Sequence, residues 1–202
     1  MTTQEKNGIT EGVIWKQLLI FFFPILVGSF FQQLYNTVDS VIVGQFVGKE
    51  ALSSVGGSAG QIISLVVGFF TGVSTGATVI ISQYFGAGKK EEIEESLHTA
   101  YAFALVGGLV LGIAGIVFAP QMLRWMNTPE ELIAESVLYV RVYFSGLIFI
   151  FIYNMGAAIL RAVGDSKRPL YYLIVCSVVN IILDLLLILV IPLGVLGAAI
   201  AT

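Results

Sequence analysis

Two acids sit where an apolar chain should not hold them. Asp39 follows 22 uncharged residues (17–38), and Asp184 lies between 15 uncharged residues before it and 18 after. A charged side chain at the centre of a bilayer costs about 2.5–3.5 kcal/mol on insertion scales, so such a residue is a candidate for function. Each acid closes a polar stripe. Gln32, Tyr35 or Asn36, and Asp39 are spaced by three and four, and Ser177, Asn180 and Asp184 repeat the arrangement. That spacing places each set on one face of a helix. Tyr153 and Asn154 add a third polar position. Carboxylate, amide and hydroxyl oxygens suit a hard cation such as Na⁺, and a desolvated carboxyl can instead take up a proton.

Other readings of the same residues are available. Asp39 precedes Lys49-Glu50 by ten residues and could be a solvated acid at the membrane interface. Asn154 and Asn180 could be interhelical hydrogen-bond links worth about 0.6 kcal/mol each. Tyr35, Tyr143 and Tyr153 could serve packing or the interfacial aromatic belt. Asp165, in Leu160-Arg-Ala-Val-Gly-Asp-Ser-Lys-Arg-Pro169, belongs to a polar turn that ends one helix and opens the next. Gly164 there suits a C-terminal cap and Pro169 a helix start. The single His98 argues against a His-rich metal centre, and the single Cys176 leaves no disulfide.

The elements that must position these residues follow from composition. Of 202 residues, 57% are hydrophobic and only 11% charged, and the mean hydropathy is +0.93. No Asp, Glu, Lys or Arg occurs in 17–38, 51–88, 96–123 or 142–160, and 169–202 holds only Asp184. Roughly 20 apolar residues of helix cross a hydrocarbon core of about 30 Å. Runs such as Leu18-Leu-Ile-Phe-Phe-Phe-Pro-Ile-Leu-Val27 lack the alternation of barrel strands, so the spans are helices. The reading is an all-α polytopic transmembrane bundle. Its spans fall at 16–46, 51–84, 95–118, 132–161 and 169–190, with a sixth beginning at 194. The head around Glu5, Lys6, Glu11 and Lys16 lacks the pattern of a cleaved signal. A cytoplasmic N-terminus puts Lys6, Lys16, Lys89, Lys90, Arg161, Lys167 and Arg168 inside, against Lys49, Arg124 and Arg141 outside. The excess of basic residues favours that orientation. Gly60, Ser64, Gly68, Gly72 and Gly76 recur at every fourth position of the second span, which predicts a face for close packing, within the chain by default and against a second copy as the alternative.

Several stretches together resemble one family. Gln33-Leu-Tyr-Asn-Thr-Val-Asp39 with Val43-Gly44 is similar to the first helix of the multidrug and toxic compound extrusion (MATE) transporters. The Leu160–Pro169 turn resembles the family's loop between helices four and five. Asn180-Ile-Ile-Leu-Asp184 and Gly197-Ala-Ala-Ile-Ala-Thr202 resemble its fifth helix and the start of its sixth. The resemblance implies half of a twelve-helix, two-lobe membrane exporter that works by alternating access. It exchanges H⁺ or Na⁺ for drugs or other amphipathic organic cations. It also implies a cation-binding cluster at Asp39, Asn180, Asp184 and Thr202, with Asn154 nearby and Na⁺ as one coupling ion. Gln32, Tyr35, Asn36 and Tyr153 are then candidates for the substrate cavity.

The expected partners are membrane lipid, small organic cations, and a C-terminal lobe that the 202 residues lack, whether as a fragment or as a truncated product. No cofactor beyond the coupling ion, no nucleic acid and no enzymatic activity are expected. An intramembrane aspartyl protease would need Gly-x-Gly-Asp, which neither Thr-Val-Asp39 nor Ile-Leu-Asp184 supplies. The alternatives are a flippase of lipid-linked precursors in the same superfamily, for which Arg141 is the basic cavity candidate, and a membrane fragment that transports nothing.

Overall fold

The computed structural model describes residues 13–202, so Glu5, Lys6 and Glu11 of the charged head lie outside the described residues. The chain forms helices α1 (Ile14–Ile42), α2 (Lys49–Gly56), α3 (Ser58–Gly86), α4 (Lys90–Trp125), α5 (Glu130–Ser145), α6 (Leu147–Ala162), α7 (Lys167–Asp184) and α8 (Val195–Ala201). Wider π-helical turns follow α1 (Val43–Val47) and α7 (Leu185–Val190). There is no strand among the described residues. A helix satisfies its own backbone groups, which is what an apolar surrounding demands.

Four helical runs are long and apolar enough to cross a membrane: Ile14–Val47, Lys49–Gly86, Lys90–Trp125 and Lys167–Val190. Helices α5 and α6, bent by 51° against each other, are together long and apolar enough for a fifth crossing when taken as one span. Leu18, Leu19, Phe22, Phe23, Leu26 and Phe30 of α1 all point outward, as side chains do when lipid rather than water is the surroundings.

Two of the expected windows are internally divided. The stretch 51–84 is interrupted at Gly57, where the backbone leaves the helix and a Cβ would collide with the Ser53 carbonyl oxygen. The stretch 132–161 is divided at Gly146, between α5 and α6. The short α2 is fixed by polar contacts to α5. Ser136 Oγ donates to the Ser54 carbonyl at 3.2 Å, and Ser54 Oγ donates to Glu135 Oε2 at 3.3 Å.

The glycine stripe of α3 does not do what its spacing predicts. A Cβ at Gly68, Gly72 or Gly76 would meet nothing within 4 Å, so these positions face open space. The intimate contact lies on α4 instead, where Ala104, Gly108, Gly112, Gly115 and Ala119 are buried. A Cβ at Gly108 would stand 2.8 Å from Ile148 Cα, and one at Gly112 would stand 3.0 Å from the Phe144 carbonyl oxygen. Gly115 accommodates the Phe144 ring. Fourfold spacing shows which residues share a face; it does not show what that face meets.

The turn between α6 and α7 matches its reading as structure. Gly164 takes φ +90°, and its N–H donates to the Arg161 carbonyl at 3.0 Å. Asp165 Oδ1 accepts the N–H groups of Lys167 and Arg168, each at 3.1 Å, and so caps α7. Asp165 also pairs with Arg168 at 3.1 Å.

The contrast between the two glycine faces is measurable. Gly108→Ala must displace backbone and is expected to cost about 1–3 kcal/mol, visible as a lower melting temperature in a fluorescence-detected thermal scan. Gly72→Ala meets no neighbour and gains helix propensity of about 1 kcal/mol, so its melting temperature should hold or rise.

Candidate cation site

The two acids come from helices that lie side by side. α1 packs along α7, and the two π-helical turns touch one another. Asp184 directly precedes one of these turns, and Asp39 lies one helical turn before the other. The Val43 N–H donates to the carbonyls of Asp39 and Ser40, while Asp184 is the last residue of α7. π-Helical turns are uncommon and gather at functional positions. The turn after Asp39 closes on Gly48 through its N–H to the Val43 carbonyl at 3.1 Å, and the turn after Asp184 closes through the Ile191 N–H to Leu186 at 3.0 Å.

The carboxyl groups of Asp39 and Asp184 stand within hydrogen-bonding reach of each other. Such a bond forms only when one of the pair carries a proton, because a carboxylate is an acceptor alone. Asp184 is fully buried. Asp39 Oδ1, both carboxyl oxygens of Asp184 and Asn180 Oδ1 are buried without a donor among the described residues. Four acceptor oxygens of this kind match a small hard cation or a proton, and they would be costly to leave apart from one.

Asn180 and Thr202 belong to the same corner. Asn180, 8% exposed, donates through Nδ2 to the Ala201 carbonyl at 3.0 Å and so ties α7 to α8. Thr202 Oγ1 donates to the Ala198 carbonyl at 2.9 Å. The approach of α8 depends on Gly197, where a Cβ would come within 3.0 Å of the Leu187 carbonyl oxygen. Ser177, one turn before Asn180, is buried and donates to the Leu173 carbonyl at 2.8 Å.

Tyr139 joins this corner without having been singled out. It is buried on α5, its hydroxyl is within hydrogen-bonding reach of Thr202, and it is close enough to feel the charges of both Asp39 and Asp184. Ser136, Tyr139 and Tyr143 form a polar stripe of their own on α5. That stripe was available in the sequence, but a tyrosine within an apolar run reads first as packing.

The remaining candidates lie differently. Tyr35 is partly buried and lies near Gln32 and Asp39. Gln32 and Asn36 are exposed. Asn154 lines a cavity of about 410 Å³ with Ser74, Thr78 and Arg161, and its Nδ2 donates to the Ile150 carbonyl at 2.8 Å. Tyr153 interacts electrostatically with Arg161, Cys176 and Tyr35. Arg141 is occupied elsewhere, its Nε donating to the Ile116 carbonyl at 3.2 Å. Arg161 is a basic side chain that lines a cavity.

Acids brought together from separate helices of an apolar bundle are a mark of membrane proteins that handle ions or polar cargo. The MatE family pattern matches residues 24–186, and the chain belongs to that family. It is 34% identical to the probable multidrug resistance protein YoeA of Bacillus subtilis, over all of this chain and 44% of that protein. It is 35% identical to the probable multidrug resistance protein YpnP of the same organism, over 96% of this chain and 43% of that one. A solved outward-facing structure of a multidrug resistance MATE family transporter of the MOP superfamily superimposes with a TM-score of 0.92 at 27% identity. That match covers all of this chain and 44% of the other. The chain thus spans somewhat less than half the length of these relatives.

The link from α7 to α8 gives a local prediction. Asn180→Leu keeps the bulk and removes the donor to Ala201, leaving a carbonyl unpaired at a cost of about 1–3 kcal/mol. Amides of α8 should then exchange with solvent faster, while those of α4 keep their protection in the same hydrogen-exchange experiment.

Proposed function

We propose that the chain is the N-terminal lobe of a cation-coupled antiporter that exports drugs or other amphipathic organic cations by alternating access. The observation that carries this reading is the meeting of Asp39 and Asp184 with four buried acceptor oxygens that have no donor among the described residues. Asn180 and Thr202 complete the coupling site, and Tyr139 orients Thr202. H⁺ and Na⁺ act on this site in the same sense. Either one removes the repulsion between two carboxylates and lets α1 and α7 close together. Its release restores like charges and favours separation, so a ligand that binds the separated packing competes with the cation.

The second lobe, which closes the cavity from the other side, comes from outside these residues. Family membership and the relatives' names support drugs as cargo. The charge distribution supports a cytoplasmic N-terminus in the cell membrane, since Lys89, Lys90, Lys167 and Arg168 flank the α3–α4 and α6–α7 turns. A flippase of anionic lipid-linked cargo would want several basic side chains in its cavity, and Arg141 is held by α4 instead.

Asp184→Asn in the full-length protein should abolish drug resistance while membrane expression stays normal. Resistance retained at equal expression would reject the coupling role. The coupling ion is read from proteoliposomes in which a pH gradient and a Na⁺ gradient are imposed in turn. Drug flux should follow one of them, and Asp39→Asn should remove that dependence; flux indifferent to both gradients would reject antiport.

A further inference from the structure

The cavity that holds Asn154 has a chemistry separate from the acidic corner. It has a volume of about 410 Å³ and lies between α1, α3 and α6. Asp39 and Asp184 are near the far ends of α1 and α7, whereas this cavity runs toward the α3–α4 and α6–α7 turns. Its α3 wall is a row of hydroxyls whose protons are already spent. Thr71 donates to the Val67 carbonyl at 2.8 Å, Thr75 to Thr71 at 2.9 Å, and Thr78 to Ser74 at 2.9 Å. A hydroxyl has one proton and two lone pairs, so this wall offers acceptors. Asn154 has likewise committed an N–H to Ile150 and keeps its carbonyl oxygen.

Ser74 is the exception along the row. It is 4% exposed, and its Oγ is buried on the cavity wall without a partner. Arg161 lines the same cavity, is half-buried, and makes no ion pair among the described residues. Asp165, the nearest acid in sequence, is engaged by Arg168. Thr78 Oγ1 also approaches the Ala158 carbonyl at 3.4 Å, which sets the register of α3 against α6 and puts Ser74 level with Asn154. Arg161 is two turns further along α6, about 10 Å at 1.5 Å per residue. Phe21 and Ile25 supply an apolar side between the two ends.

We propose that this cavity binds a zwitterionic amphiphile: an ammonium or other N–H donor group against Ser74 and Asn154, an anionic group on the Arg161 guanidinium, and an apolar middle beside Phe21 and Ile25. An acceptor wall satisfies donors, and a lone guanidinium in a partly dry groove selects a carboxylate or phosphate. The proposal deepens the transport reading and rests on it for its physiological meaning, since it adds an anionic group to the cationic cargo. The separation of the two ends excludes small zwitterions in which both charges share one carbon.

The test uses three probes of equal length. The protein is purified at full length in lipid nanodiscs, and 8-aminooctanoic acid, octylamine and octanoate are titrated calorimetrically, with empty nanodiscs subtracted. The zwitterion should bind at least tenfold more tightly than either single-charge probe. Arg161→Gln should bring it down to the level of octylamine and leave octylamine itself unchanged, and Ser74→Val should bring it toward octanoate. Equal binding of all three probes, or a preference that survives Arg161→Gln, would overturn the proposal. If Arg161→Gln does not fold, Arg161→Lys must keep the preference for the zwitterion over octylamine, and its loss there overturns the proposal equally. Drug export by the unaltered protein separates the two levels. Export without a zwitterion preference rejects this site and leaves the transport reading, whereas the preference without export does the reverse.

Discussion

Two carboxylates pressed together inside an apolar bundle cannot both stay charged without cost, and the helices around Asp39 and Asp184 are organised by that problem. Both charged is repulsive and leaves buried acceptor oxygens without donors. One shared proton, or one cation, answers both objections. The bundle brings the pair together by packing α1 along α7, and a π turn follows directly after Asp184 and one helical turn after Asp39. A π turn alters the regular hydrogen-bond ladder at the point where the side chain must be aimed. The acids and the irregular backbone therefore belong to one local arrangement.

Around that pair, the bundle is held by two sorts of contact. Close approach of α4 to the α5–α6 bend depends on missing side chains at Gly108 and Gly112, which meet backbone that cannot move aside, and at Gly115, which meets the Phe144 ring. Elsewhere elements are tied by single hydrogen bonds, Ser136 of α5 to Ser54 of α2 and Asn180 of α7 to Ala201 of α8. Packing of the first sort is stiff, and single polar links are worth only about 1 kcal/mol each. A lobe built this way can keep α4–α6 as a rigid frame while α1, α7 and α8 adjust. The open glycines of α3 lie on neither set of contacts.

A polar residue has a different meaning at each place the fold puts it. Asn154 and Asn180 are the same residue type in equally apolar surroundings. Asn180 reaches across to α8 beside the acids, whereas Asn154 bonds to its own helix and lines the hydroxyl-walled cavity. Arg141 and Arg161 divide in the same way, one tied to a carbonyl of α4 and the other lining a cavity.

The sequence by itself determined the helical membrane class, because long uncharged windows can satisfy their backbone groups in lipid only as helices here. It also determined Asp184 and Asn180 as neighbours on one face, and the capped turn at Gly164 and Asp165, since both follow from spacing along one chain. Family motifs brought Asp39 and Thr202 into the same set of residues. Only the tertiary structure decided that Asp39 meets Asp184, that Tyr139 stands beside Thr202, and that the α3 glycines face open space while those of α4 are filled by Ile148 and Phe144. The physical reason is the same in each case. Periodicity along one helix fixes which residues share a face, and the partner of that face is chosen by how separate helices pack.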